Sequence, residues 1–208
     1  MKQLLNSLKL AVCASSFLWL ASCNSGNTTE TTTTDSTSMM DTSPAGMDTT
    51  SNMSSTDTSV HHVSAVLSGV FPDTTVTGNV QFDADNGKVK MKLELMIPTK
   101  ANKSVAVHIH EKGDCGDMGK AAGGHWNPTG ANHGKWGGSS YHLGDIGNVK
   151  LDSKGAGTME METDLWTIGG DEKSNIVGKS IIVHGGVDDF VSQPSGNAGT
   201  RIGCGIIK

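Results

Sequence analysis

The sequence predicts an all-β domain, a sandwich or barrel of about eight short antiparallel strands, on three observations. Aromatic residues make up 4% of the 208-residue chain and 27 residues are glycine, a small-residue, turn-rich composition that fits sheet better than helix. Short segments of alternating apolar and polar residues recur with turn signals between them. No stretch sustains a helical period, so helix content should be low.

The first strands are expected near residues 62–69, 76–85 and 88–97. The last two meet at Asn86-Gly87, a dipeptide that tolerates positive φ at both positions and so favours a tight hairpin. In the third segment Val89, Met91, Leu93, Leu95 and Ile97 alternate with Lys88, Lys90, Lys92 and Glu94, so one face is core and the other wet. Further strands are expected near residues 104–111, 148–153, 158–164, 180–184 and 200–208.

Ahead of this domain the chain has a different character. Lys2 and Lys9 precede an apolar run, Leu10 to Leu20, too short to span a membrane but of the length of a signal-peptide core. It ends Leu20-Ala21-Ser22-Cys23, which resembles the bacterial lipobox, in which the cysteine is lipidated and becomes the mature first residue. Asn24 rather than Asp follows, so that position does not indicate inner-membrane retention. From residue 24 to 59, 20 of 36 residues are Ser or Thr, five are acidic and none is Lys or Arg. Such a segment cannot bury enough apolar area to offset its ordering entropy. It reads as a tether with a reach of roughly 30–35 Å. The expected organisation is a lipoprotein signal peptide (1–22), a lipidated Cys23 with its tether (23–59) and a folded domain (60–208). Export with lipid anchoring to the bacterial cell envelope, at the outer membrane, follows as the expected location. Met39, Met40, Met47 and Met53 in the tether, with His61 and His62 at its end, could capture copper, though spaced methionines in a coil need no metal to explain them. The net charge of −5, with no basic run, gives no reason to expect nucleic acid as a partner.

Five of the eight histidines fall between His108 and Asp145. His108 and His110 are two apart on a strand, so their side chains leave one face while Val105, Val107 and Ile109 take the other. The following stretch, 112–148, is long, glycine-rich and nearly free of aliphatic residues; structureless loops beyond about 12–15 residues are usually functional or disordered. It carries His125, His133, His142 and Asp145. Three imidazoles and a carboxylate satisfy the tetrahedral preference of zinc with no open position, which describes a structural site.

Four cysteines complete the inventory. Cys13 would leave with the signal peptide and Cys23 would carry lipid. In an exported protein the remaining two, Cys115 and Cys204, imply one disulfide, the alternative being two free buried thiols.

The motifs HIHEKGDC (108–115), GGHWNPTGANHG (123–134), HLGDIGN (142–148), IVHGGVDD (182–189) and PSGNAGTRIGCG (194–205) together resemble the copper-zinc superoxide dismutase family, from about residue 62 to the C-terminus. The resemblance implies a Greek-key β-barrel or sandwich with a long metal-binding loop. It assigns one copper per subunit to His108, His110, His125 and His184, and one zinc to His125, His133, His142 and Asp145, with His125 bridging the two ions. Asp188 matches an aspartate that links the free ring nitrogens of His108 and His133. Arg201 matches an active-site arginine that attracts and docks a small anion.

The implied reaction is dismutation of superoxide to O2 and H2O2 by a redox-cycling copper, with His125 and Arg201 as catalytic residues and His125 doubling as proton donor. The alternative is a non-catalytic copper- or zinc-binding protein on the same fold. Expected partners are superoxide as substrate, the membrane through the N-terminal lipid only, and a second copy of the chain in a homodimer. The chain departs from many family members between Asp189 and Arg201, where the segment is short and holds no Lys or Glu. Attraction of the anion should then rest on Arg201 and the metal charge, with Lys112, Lys120 or Lys135 as auxiliary cations.

Overall fold

The computed structural model describes residues 61–208, so Cys23, the tether methionines and the signal segment lie outside the described residues. Eight antiparallel strands make up the fold: β1 (His62–Gly69), β2 (Thr77–Asp85), β3 (Lys88–Met96), β4 (Ser104–His110), β5 (Gly147–Lys150), β6 (Ala156–Thr163), β7 (Ser180–His184) and β8 (Arg201–Ile206). They hydrogen-bond in the order β5-β4-β7-β8-β1-β2-β3-β6. The strands at the two ends of this order, β5 and β6, are consecutive in the chain. A Cβ built on Gly157 of β6 would lie 2.8 Å from Val149 of β5 and 2.7 Å from Leu151, so the two edges nearly meet and the sheet is a nearly closed barrel. The only helices among the described residues are two short 3-10 segments, Pro98–Lys100 and Asp117–Ala122.

Local chemistry accounts for the hairpin meander. Asn86 and Gly87 both hold positive φ (49° and 76°), and Asp85 pairs with Lys88 across a two-residue turn, as the dipeptide predicts. Val89, Met91, Leu93 and Leu95 are buried and the lysines between them exposed. Burying side chains of this size contributes about 1.5–3 kcal/mol each. On the wet face Lys88 pairs with Glu162 at 2.8 Å. Exposed pairs of this kind contribute little, because water screens both charges.

Several strand limits differ from the periodic reading by one to three residues. The largest difference is in β5, expected at 148–153 but ending at Lys150. There Leu151 N–H turns to the Lys103 carbonyl (2.8 Å), and the Asp152 carboxylate accepts from Lys154 and Ala156 N–H (2.8 Å each), making a turn that launches β6. An Asx turn competes with the ladder for the same backbone donors.

Strand β4 is buried on both faces. Val105, Val107 and Ile109 enter the barrel core with Ile181 and Val183 of β7. The opposite face, bearing His108 and His110, is covered from outside by the long loop that follows. Beneath that loop a small second cluster of Ala122, Ile182 and Cys204 packs with Val70 and Cys115.

Candidate metal centre

The β4–β7–β8 ladder places the first donors. His108 and His110 leave the outer face of β4, and β7 runs antiparallel beside it with Ile182 opposite His108. At the end of β7 a register shift between Val183 and His184 turns His184 and sets it opposite Arg201 of β8. A histidine and an arginine 17 positions apart in sequence therefore share one point of the sheet.

The loop after β4 is pinned back onto the strand. Trp126 N–H donates to the Ile109 carbonyl and Ile109 N–H to that of Gly144, each at 2.9 Å, with Gly144 N–H to Trp126 at 3.0 Å. A Cβ on Gly144 would sit 2.2 Å from the Ile109 oxygen, so only glycine permits the approach. This pinning holds His125 against His110, with ring centroids 5.0 Å apart, and His142 near His125 at 5.5 Å. Trp166, buried in the core, donates its Nε1–H to the Leu143 carbonyl (3.0 Å) and steadies the residue next to His142.

The result is two groups of four donors, each with its ligand atoms within 4.8 Å of one another: His108, His110, His125 and His184, and His125, His133, His142 and Asp145. All are buried. Six imidazole nitrogens are buried without a hydrogen-bond partner: His108 Nδ1, His110 Nε2, His125 Nε2, His133 Nδ1, His142 Nδ1 and His184 Nε2. Orphaned buried polar atoms are costly, and six converging on two points fit two cations. The Asp145 carboxylate lies 2.7 Å from His125 Nδ1, 3.0 Å from His133 Nδ1 and 3.2 Å from His142 Nδ1. An all-nitrogen set suits copper, and three imidazoles with one carboxylate suit zinc.

Four of the nitrogens that face away from the centre are occupied. Asp188 accepts from His108 Nε2 and His133 Nε2, both at 2.9 Å, and so joins the two groups from behind. The Gly123 carbonyl accepts from His110 Nδ1 (3.0 Å) and the Gly199 carbonyl from His184 Nδ1 (3.2 Å). Such contacts set the tautomer and aim the opposite nitrogen inward. Asp189, beside Asp188, is exposed and caps its own turn through Val191 and Ser192 N–H.

Burial, more than any other cause, keeps three of the imidazoles neutral and so able to bind a metal. It lowers His110 to about 2, with the neighbouring His125 charge adding to it, His184 to about 3 with His108 adding, and His125 to about 4 despite the Asp145 hydrogen bond. For Asp145 burial acts upward, but hydrogen bonds from His125, His142 and Gly134 outweigh it and keep the carboxylate far below its usual range. Asp188 is likewise held low by His108 and His133 against the opposing effect of burial. With metal stripped, the three rings stay neutral in the fold, whereas an unfolded chain protonates them near 6.5. Stability is then full above pH 6.5 and declines as pH falls toward 4, because only the unfolded state gains protons. Denaturation midpoints measured in chelator across that range should fall steadily; a flat profile would contradict the neutral-ring assignment.

Cys115 and Cys204 form a disulfide that ties the loop to β8. Arg201, three residues earlier on β8, donates through Nη1 to the Gly119 carbonyl (2.5 Å) and through Nη2 to that of Gly123 (2.6 Å). Both carbonyls belong to the segment that the disulfide anchors. The bridge closes a separation of 89 residues, for which chain entropy sets an upper contribution of about 4–5 kcal/mol. Replacing both cysteines by serine should lower the melting temperature by roughly 10 °C and raise mobility at Arg201. An unchanged melting temperature would show that the loop is held by other contacts.

Among the described residues, Arg201 is the one charged side chain lining the cleft over His110, His125 and His184. Lys112, Lys120 and Lys135, expected as auxiliary cations, do not line it. His62 is engaged elsewhere, 2.6 Å from the exposed Asp83 carboxylate. Two further side chains bond the main chain beside the site without any signal in the sequence. The Asn148 side chain accepts from Asp188 N–H (2.8 Å) and donates to the Asp188 carbonyl (2.9 Å). Gln193 does the same for His133. Isolated amide side chains carry no periodic or spacing signal by which sequence could single them out.

Comparison with known proteins places this geometry. The family model described as copper/zinc superoxide dismutase matches residues 76–207. A copper-zinc superoxide dismutase of Yarrowia lipolytica is 38% identical over 151 residues, covering 69% of this chain and 94% of the relative. A second, from Aquifex aeolicus, is 36% identical over 138 residues, covering 64% and 80%. An extracellular copper-zinc superoxide dismutase of Caenorhabditis elegans is 34% identical over 140 residues, covering 64% and 62%. Among solved structures, the crystal structure of the clock protein EA4 superposes with a TM-score of 0.63 at 30% identity, covering 71% of this chain and 93% of that one.

Proposed function

The chain belongs to the copper/zinc superoxide dismutase family, and from that premise we propose that it dismutates superoxide to O2 and H2O2 with one copper and one zinc per subunit. The observation that carries this reading is the pair of four-donor groups sharing His125, with six buried imidazole nitrogens aimed into them. In the proposed assignment His108, His110, His125 and His184 hold copper, and His125, His133, His142 and Asp145 hold zinc. Bound copper would supply one-electron redox chemistry, and bound zinc a fixed positive charge.

The protein's own residues do the rest. Arg201 offers an obligate positive charge at the cleft, and its two carbonyl contacts fix the guanidinium in place. His125 lines the same cleft, and its buried Nε2, left without a hydrogen-bond partner, is the atom that would hold or release a proton there. Asp188 orients one ring in each group, so the copper and zinc sides cannot reorient independently.

Superoxide consumption by copper- and zinc-loaded protein tests the proposal. Wild type should be active and His184→Ala nearly inactive; wild type that binds both metals but consumes no superoxide would favour the non-catalytic reading. Arg201→Ala should lower the rate about tenfold. Because a single cation lines the cleft, the wild-type rate should fall with ionic strength less steeply than in relatives with a longer charged loop, and a steep slope surviving in Arg201→Ala would contradict this.

Export is supported by the Cys115–Cys204 disulfide, which persists in oxidising compartments. Signal peptide 1–22, lipidation of Cys23, tether 23–59, catalytic domain 60–208 and outer-membrane anchoring are supported by the sequence pattern. Mass spectrometry of the mature N-terminus, with Cys23→Ser as control, tests them. A homodimer is supported by exposed Val66 and Ile206, which the β1–β8 register sets opposite one another. Purely monomeric sedimentation would remove it.

A further inference from the structure

We propose that Gln193 is a positioning residue for His133, joining the loop that presents this zinc-side donor to the wall of the copper-side cleft. The inference rests on the copper/zinc reading above. His133 N–H donates to Gln193 Oε1 and Gln193 Nε2 donates to the His133 carbonyl, both at 2.9 Å, so one side chain 60 residues away takes up both main-chain polar groups of the ligand residue. The second amide proton goes to the Val191 carbonyl at 3.1 Å, which fixes the amide from its own loop.

The ring of His133 is held separately, by Asp188 at Nε2. With main chain and outer nitrogen both constrained, Nδ1 alone is left without a hydrogen-bond partner, 3.0 Å from Asp145. The residues that follow, Pro194 and Ser195, line the cleft with Arg201. Gln193 thus stands where cleft wall and zinc-side donor meet. Between Asp189 and Arg201 the segment is short and has no Lys or Glu, and Gln193 is its longest polar side chain. An amide gives what a lysine or glutamate cannot, a donor and an acceptor on one head, as the paired groups of a peptide unit require.

Gln193→Glu isolates this role. It keeps the shape and the acceptor for His133 N–H but turns an oxygen toward the His133 and Val191 carbonyls. From the loaded protein, zinc release to a chromogenic chelator should be roughly tenfold faster than in wild type. The absorption bands of Co2+ placed at the zinc site should shift as its geometry loosens. The melting temperature of the metal-free, disulfide-bonded protein should move by less than about 2 °C, since the contacts lie outside the barrel core. Wild-type release and an unchanged Co2+ spectrum would overturn the proposal. So would a large drop in metal-free melting temperature, which would make Gln193 a general structural support. Wild-type protein that takes up neither Zn2+ nor Co2+ would instead defeat the metal-centre reading on which it rests.

Discussion

His125→Ala should abolish superoxide consumption, by a factor on the order of 10³ or about 4 kcal/mol of barrier, and should weaken both metal sites at once. Its ring is the only one that belongs to both donor groups: Nε2 faces His108, His110 and His184, and Nδ1 lies 2.7 Å from Asp145. Removing it leaves three donors on each side, and on the copper side three buried nitrogens still converge without their fourth partner. His142→Ala is the control, because His142 belongs to one group only. That variant should lose zinc and retain copper. Titration of each metal into both variants separates the cases. If His125→Ala bound both ions with wild-type affinity, no shared ligand could exist.

Gly196→Ala should cost roughly 3 kcal/mol, about 10 °C in melting temperature, and should weaken zinc binding as well. The backbone there holds φ of +64°, a conformation that strains any residue with a Cβ. The added methyl would fall 1.8 Å from Asp188 Oδ1 and 2.5 Å from His133 Nε2. It would therefore displace the hydrogen bond between those two atoms, a 2.9 Å contact buried on both sides. Breaking a buried charged contact without replacing either partner is among the few ways a single methyl costs this much. Asn197→Ala, next in the chain but exposed and also at positive φ, should cost no more than about 1 kcal/mol. Equal losses in the two variants would point to backbone strain alone and remove the Asp188–His133 contact from the account.

Much of this could be read beforehand where chemistry repeats locally. Alternation in β3 and the Asn86-Gly87 turn predicted a hairpin that forms as expected, because a pleated strand sends successive side chains to opposite faces whatever surrounds it. The donors that the family resemblance named come together in two groups of four in the fold. Gln193 and Asn148 stayed invisible. Each is a common polar residue whose role exists only after a main-chain segment 60 or 40 positions away arrives at hydrogen-bond distance.

Residue order and chemistry were enough to say which face of β3 is apolar, where the tight Asn86-Gly87 turn falls, and which side chains can donate to a metal. Only the packed fold could set His184 opposite Arg201 through a register shift at the end of β7, keep the lysines of the described residues out of the cleft, and bring Gln193 and Asn148 to the main chain of His133 and Asp188. The reason is one of range. Side-chain periodicity and donor chemistry belong to single residues and their neighbours, whereas these contacts depend on how strands register and loops close over tens of residues.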